Sequence, residues 1–100
     1  MSFTFETDVV HWRGPSPYVF APVPTPVADT IRQRARELSY GWGMIPVEAT
    51  LAGITFTTSL FPKDGAFLLP LKDAVRHAVN VTVGDRITVV LTLRAPRHMP

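Results

Sequence analysis

The chain has 100 residues, no cysteine, and 10 Lys and Arg against 8 Asp and Glu, for a formal net charge of +2. That length makes one small domain with a modest but workable core, and the missing thiols exclude disulfides and thiolate metal sites. The pI near 9.5 reflects a small excess of arginine, and two net charges give little affinity for a polyanion unless one face concentrates them.

Residues 3–12, FTFETDVVHW, alternate. Phe3, Phe5, Val9 and His11 share one face and Thr4, Glu6, Asp8 and Trp12 the other, the period of a half-buried strand. Arg13-Gly14-Pro15-Ser16-Pro17 breaks the ladder, and Tyr18 to Pro22 forms a short strand near an edge. A helix follows, with Thr25 as N-cap, Pro26 at the first helical position and Asp29 near the positive end of the dipole. Val27, Ala28, Ile31, Ala35 and Leu38 form its buried stripe. Gly41 and Gly43 end it, with Trp42 between them.

Residues 44–51 alternate again, with Ile45, Val47, Ala49 and Leu51 inward. Ala52-Gly53 connects tightly to the strand ITFTTSLF. Pro62-Lys63-Asp64-Gly65 reads as a β-turn in which proline presets φ and glycine accepts a positive φ. A strand from Ala66 to Pro70 leads to a short helix over 72–79 that buries Leu71, Val75 and Val79. Gly84-Asp85 then turns the chain into the last strand, with Ile87, Val89, Leu91 and Leu93 on one face. The domain spans 1–94, and 95–100 form a tail with no packing signal, expected to be disordered. The order β-β-α-β-β-β-α-β fits a small, mainly β barrel of about six strands with two helices at its ends.

The chain echoes itself at an offset of 48. Pro22 falls on Pro70, Val23 on Leu71, Val27 on Val75 and Ile31 on Val79. The expectation is a pseudo-two-fold barrel in which one chain carries both halves. No apolar run approaches the ~18 residues of a membrane span, and MSFTFETD lacks the basic start and apolar core of a secretion signal. A soluble cytoplasmic protein is expected.

The succession Gly-Trp-Gly, Ile-Pro-Val, Thr-Ser-Leu, Pro-Lys-Asp-Gly, Leu-Pro-Leu-Lys, Val-Arg and Gly-Asp, at the spacings found here, resembles the bacterial domain-of-unknown-function family nineteen-oh-five. The likeness runs over about residues 3–94. It implies a double-split β-barrel, the fold that AbrB/MazE-type proteins build as dimers. It implies no activity, because fold alone does not carry function.

Few residues suggest chemistry. His11, His77 and His98 match no zinc spacing, so neither metal nor cofactor is expected. Glu6 and Asp8 share a strand face, but solvated strand carboxylates are commoner than an acid–base pair. Ser and Thr cluster over 50–59 without a Gly-x-Ser-x-Gly elbow. Gly41-Trp42-Gly43 lacks the Lys of a phosphate loop and enters a strand. The basic group carries more interest: Lys63 on a turn, Lys72 and Arg76 four apart on one helix face, and Arg13 and Trp42 in loops, with Trp12 and Tyr40 beside loops too. Converging at one barrel end, these would form a basic, aromatic-flanked contact region for a small anionic ligand or a protein. Solvated helix charges and barrel-closing aromatics are the plainer reading.

Three function classes compete: a non-enzymatic binding or interaction module, an AbrB-like DNA binder, and an enzyme with an unrecognised site. DNA binding needs a dimer and a continuous cationic surface. The low net charge and the acids Asp64, Asp73 and Asp85 near the contact loops count against it. No nucleophile–base–orienter set is visible. The preferred expectation is the interaction module, as a monomer or weak homodimer.

Overall fold

The computed structural model describes residues 2–12, 18–38 and 43–94. Its elements are β1 (Ser2–Asp8), β2 (Val10–Trp12), β3 (Tyr18–Pro22), α1 (Thr25–Leu38), β4 (Ile45–Leu51), β5 (Ile54–Lys63), β6 (Ala66–Pro70), α2 (Asp73–Val79) and β7 (Arg86–Leu93). The expected first strand is thus one ribbon interrupted at Val9. The expected tail, 95–100, lies outside the described residues.

The strands pair antiparallel in the order β1-β7-β4-β5-β6-β3-β2. β1 and β2 stand at opposite ends of that order yet are separated in the chain by Val9 alone, so the sheet curls back on itself into a small β-barrel-like fold. β5 does the same across the barrel, with residues 54–60 paired to β4 and 61–63 to β6. The first layer is therefore β1, β7, β4 and the start of β5. The second is the end of β5 with β6, β3 and β2. Strict alternation puts one side of every ribbon inside. Ile45, Val47 and Ala49 on β4, Leu60 on β5, Leu69 on β6 and Val89 and Leu91 on β7 are fully buried. Thr7 is the one buried polar side chain among the described residues, and its hydroxyl donates to the Pro22 carbonyl at 2.6 Å. That bond ties β1 to β3 through the interior and satisfies a group that is costly to bury unpaired.

The echo is a real two-fold. In the β3–β6 pairing Ala21 faces Leu69, and Phe20–Pro70 mirrors Pro22–Leu68. Ala21 therefore faces its own counterpart, Leu69, at the offset of 48, and the flanking pairs exchange about that point. Two backbone bonds obey the same operation: Val23 N–H to Phe67 O at 3.0 Å, and Leu71 N–H to Val19 O at 2.9 Å. So do the first helical bonds, Ala28 N–H to Pro24 O at 2.8 Å and Arg76 N–H to Lys72 O at 3.0 Å. β4 and β7 repeat the arrangement about Ala49–Leu91. Their offset is 42, smaller chiefly because α2 has 7 residues where α1 has 14. The repeat also takes in the β1–β2 ribbon, which crosses between layers as β5 does. Each half thus reads β-β-α-β, one strand more than the sequence comparison alone assigns to it.

Helix α1 starts one residue earlier than expected. Thr25 is already helical and Pro24 supplies the first accepting carbonyl, its own φ being preset for the turn. Ala28 and Ile31 are buried and Val27 is half-buried against the core. In α2 no residue is fully buried. Val75 and Val79 are only half-buried, and Leu71, the buried residue of this stretch, precedes the helix. Asn80 closes α2 in the left-handed region at φ 56, and the Val81 N–H bonds back to Arg76 O at 3.0 Å, a Schellman closure.

Both strand hairpins use two-residue turns with left-handed φ throughout: Ala52 (50) and Gly53 (84), then Asp64 (50) and Gly65 (81). This pattern suits the twist of antiparallel strands. The second turn is shorter than the Pro62–Gly65 turn expected, and Pro62 instead lies within β5 opposite Phe67. The closing pair of such a hairpin exchanges hydrogen bonds, so the next pair points its N–H groups away from the partner. Proline has no N–H to lose there. Ala52 is the misfit, since a Cβ-bearing residue in this region costs about 1–2 kcal/mol unless it is Asn or Asp. Ala52→Asn is accordingly expected to raise stability by about 0.5–1 kcal/mol, read as a higher urea midpoint at unchanged slope.

Candidate functional site

The two layers present different outward faces. On the first layer the outward positions are largely hydroxyl-bearing. Ser2 and Thr92 share a hydrogen bond of 2.9 Å, and Thr50 and Thr55 one of 2.8 Å. At one corner Arg86 lies 3.1 Å from Asp8 and 3.4 Å from Glu6. The hydrogen bond to Asp8 and that carboxylate's charge raise the Arg86 pKa above its ordinary value. The carboxylate pair seen in the sequence is therefore bridged by an arginine in open solvent, with side chains about 60 % exposed (59 % for Arg86, 63 % for Glu6 and 62 % for Asp8).

The second layer is apolar outside as well as inside. Alternation turns Phe67, Leu69 and Leu71 inward and Leu68 and Pro70 outward on β6. Phe20 and Pro22 face outward on β3, Val10 on β2 and Phe61 on β5. In register, Val10 sits opposite Phe20 and Phe20 opposite Pro70, while Phe61 sits opposite Leu68 and Leu68 opposite Pro22. These two rows exchange under the internal two-fold. Phe20 lies apart from the core cluster and packs edge-on against Phe61, ring centroids 5.9 Å apart. Val10 is 36 % exposed and Phe61 42 %.

The basic residues expected to converge are distributed over this layer. Lys63 pairs with Ala66 at the β5–β6 turn. There, Arg32 of α1 donates to Gly65 O, pairs with Asp29 at 2.7 Å and stands 6.0 Å over the Phe67 ring. Lys72 lies past the other end of β6, six residues from Ala66 and so about 20 Å away at ~3.3 Å per residue. The Leu71–Val19 bond brings it beside the start of β3. Its φ of −70 and ψ of 157 continue the strand, so Lys72 keeps the outward parity of Leu68 and Pro70. Lys63 has the same parity as Phe61. Lys72 and Arg76 thus stand together, with Lys63 at the far end of the same strand pair. Arg13, Tyr40 and Trp42 lie outside the described residues, as does the side chain of Trp12.

Arg76 is not a solvated helix charge. Its side chain is only 22 % exposed and pairs with Asp73, and Nε donates to Leu71 O at 3.2 Å. The offset of 48 sets it on Ala28, a buried helix position, so its stem takes core-side space while the guanidinium fastens the β6–α2 junction. Arg76→Ala is expected to cost about 1 kcal/mol, whereas exposed Lys72→Ala stays within about 0.5. Urea unfolding of the two variants checks this.

Among the described residues no three of His, Cys, Asp and Glu gather as metal ligands would, and no helix is long and apolar enough to cross a membrane. Fold and surface define a small two-fold barrel whose first outer layer is largely hydroxyl-bearing, with Val90 exposed on it, and whose second is largely apolar. The chain belongs to the family described as a domain of unknown function (DUF1905), whose model matches residues 5–91. No curated protein matches it.

Proposed function

We propose that the chain is a non-enzymatic interaction module that holds a protein partner against the outward face of its second layer. We also assign its barrel to the double-split class, in keeping with two ribbons that each serve both layers, and take the protein to be bacterial and cytoplasmic. The observation that carries the functional reading is the pair Val10 and Phe61, two-fold mates left exposed on one face beside the half-buried Pro22, Leu68 and Pro70 and the buried Phe20. Single exposed apolar side chains are ordinary, but a contiguous apolar face with a polar rim marks an interaction site. That chemistry favours a protein over a small anionic ligand. Lys63 and Lys72 form the rim, Arg76 holds the junction that presents Lys72, and Arg13 and Trp42 are carried as further contact candidates.

The test compares tagged wild-type protein, Val10→Lys/Phe61→Lys and the first-layer control Thr57→Lys/Thr88→Lys, each purified from the source cells. A protein retained by the wild type and the control, and reduced at least tenfold in the second-layer variant, supports the reading. Equal loss in the control contradicts it. Duplex DNA is tested separately: micromolar binding to random duplex with a steep salt slope would favour the DNA-binding alternative.

A further inference from the structure

We infer that the two-residue turn Ala52-Gly53 is a hinge about which two copies of this chain exchange halves, giving a dimer of two complete barrels. The first half, β1 to β4, and the second, β5 to β7, are joined through this turn alone. Their strands interleave, with β7 between β1 and β4, and β6 beside β3. Four of the six ladders therefore run between halves: β1–β7, β4–β7, β4–β5 and β3–β6. Only β2–β3 and β5–β6 stay within one half. The second half of another copy has the same sequence, so it supplies all four ladders in the same register and fills the same core.

The turn decides between the two forms. β4 and β5 pair without interruption up to Leu51 and Ile54, so the chain reverses in two residues, with Ala52 held at φ 50 and Gly53 at 84. That region disfavours a residue with a Cβ. Packing does not hold the turn: both residues are exposed, and a side chain at 53 would meet nothing within 4 Å. Opened, the turn lets Ile45 to Lys63 run as one strand. Two such strands lie antiparallel, and Ala52 opposite Gly53 of the second copy continues the β4–β5 register. Short hinges under strain invite this exchange. Each copy is relieved of one strained turn, and the lost freedom of two joined chains opposes the gain, so concentration sets the outcome. Interconversion breaks all four ladders between halves, so the choice is made as the chain folds. Dilute folding gives the single barrel and concentrated folding the pair, which presents the second-layer face twice in one molecule.

The chain has no cysteine, so one engineered disulfide reads the exchange. Thr50 and Thr55 face each other across β4–β5 with hydroxyls 2.8 Å apart, close enough for a bridge. In Thr50→Cys/Thr55→Cys that bridge joins β4 to the β5 it is paired with, whichever copy provides it. The reduced variant is unfolded in urea, refolded at micromolar or millimolar chain concentration, diluted, oxidised and run on a non-reducing denaturing gel. A barrel closed on itself runs as a monomer, and an exchanged pair runs as a covalent dimer. The inference expects the dimer band from concentrated refolding alone. Adding Ala52→Asn, which accepts the left-handed turn, should lower its yield at least tenfold, and adding Ala52→Val should bring it on at a concentration at least tenfold lower. Opposite effects from two substitutions at one exposed site are not the signature of a damaged fold. Monomer bands at every concentration overturn the inference, as do equal dimer yields in the Asn and Val backgrounds. A dimer seen by light scattering that runs as a monomer after oxidation also overturns it, because that species is held by surface contact.

Discussion

Leu69→Ala is expected to lower the free energy of unfolding by about 3–5 kcal/mol, a large share of the roughly 5–15 kcal/mol a domain of this size has in total. Leu69 sits on the two-fold axis, fully buried, facing an equally buried Ala21. A perfect two-fold would set identical residues there. Two leucines would overfill the site and two alanines would leave a void. The chain instead places a small residue from the first half against a large one from the second, and does so again at Ala49 and Leu91. Truncating Leu69 leaves alanine facing alanine, and neither backbone can close the gap without dragging its ladder along. Ala21→Leu alone should cost about 1–3 kcal/mol by overpacking. The double variant, which moves the leucine across the axis, should lose clearly less than the two singles together, with a coupling of about 1–3 kcal/mol. Urea unfolding of the four proteins measures the cycle. Losses that simply add would show that the axis pair does not share one space.

Gly84→Val is expected to cost about 2–3 kcal/mol, from a β-branched residue forced into the left-handed region and a weakened backbone bond. Gly84 has φ 96 in the turn Thr82–Asp85, closed by Asp85 N–H to Thr82 O at 3.1 Å and by Thr82 N–H to the Asp85 carboxylate at 2.9 Å. The turn also grips Val9 from both sides: Gly84 N–H donates to Val9 O at 2.9 Å, and Val9 N–H donates to Asp85 O at 2.8 Å. Val9 is where the first ribbon leaves one layer for the other. Distorting the turn therefore loosens barrel closure rather than a surface loop. Thermal or urea unfolding reads the loss, and amide exchange at Val9 should quicken before exchange at Val47. A variant as stable as wild type would show that closure does not depend on this clamp.

The strands, both helices and the repeat could be read from alternation, proline placement and turn residues, because those signals are local. Closure could not, since it depends on Val9 meeting a turn more than seventy positions away. Pro62 misled because Pro-x-x-Gly turns and two-residue Asp-Gly turns share residues, and only the pairing of Lys63 with Ala66 decides between them. Helical spacing offers Arg76 as a contact candidate beside Lys72, with a solvated charge as the plainer reading, and neither reports that its side chain is only 22 % exposed. The echo carried the better signal, since 48 residues earlier stands Ala28, a core position. Val10 and Phe61 went unnoticed because alternation reports that a residue faces outward. It does not report that its neighbours from three other strands are apolar too.

The most direct measurement of the central claim is photo-crosslinking in the source cells, with a photoreactive amino acid placed in turn at Phe61, Val10 and Thr57. The account predicts one shared protein adduct from positions 61 and 10 and none from 57, a first-layer position on the same strand as 61. Adducts from 57 alone, or equal adducts from all three, would contradict it.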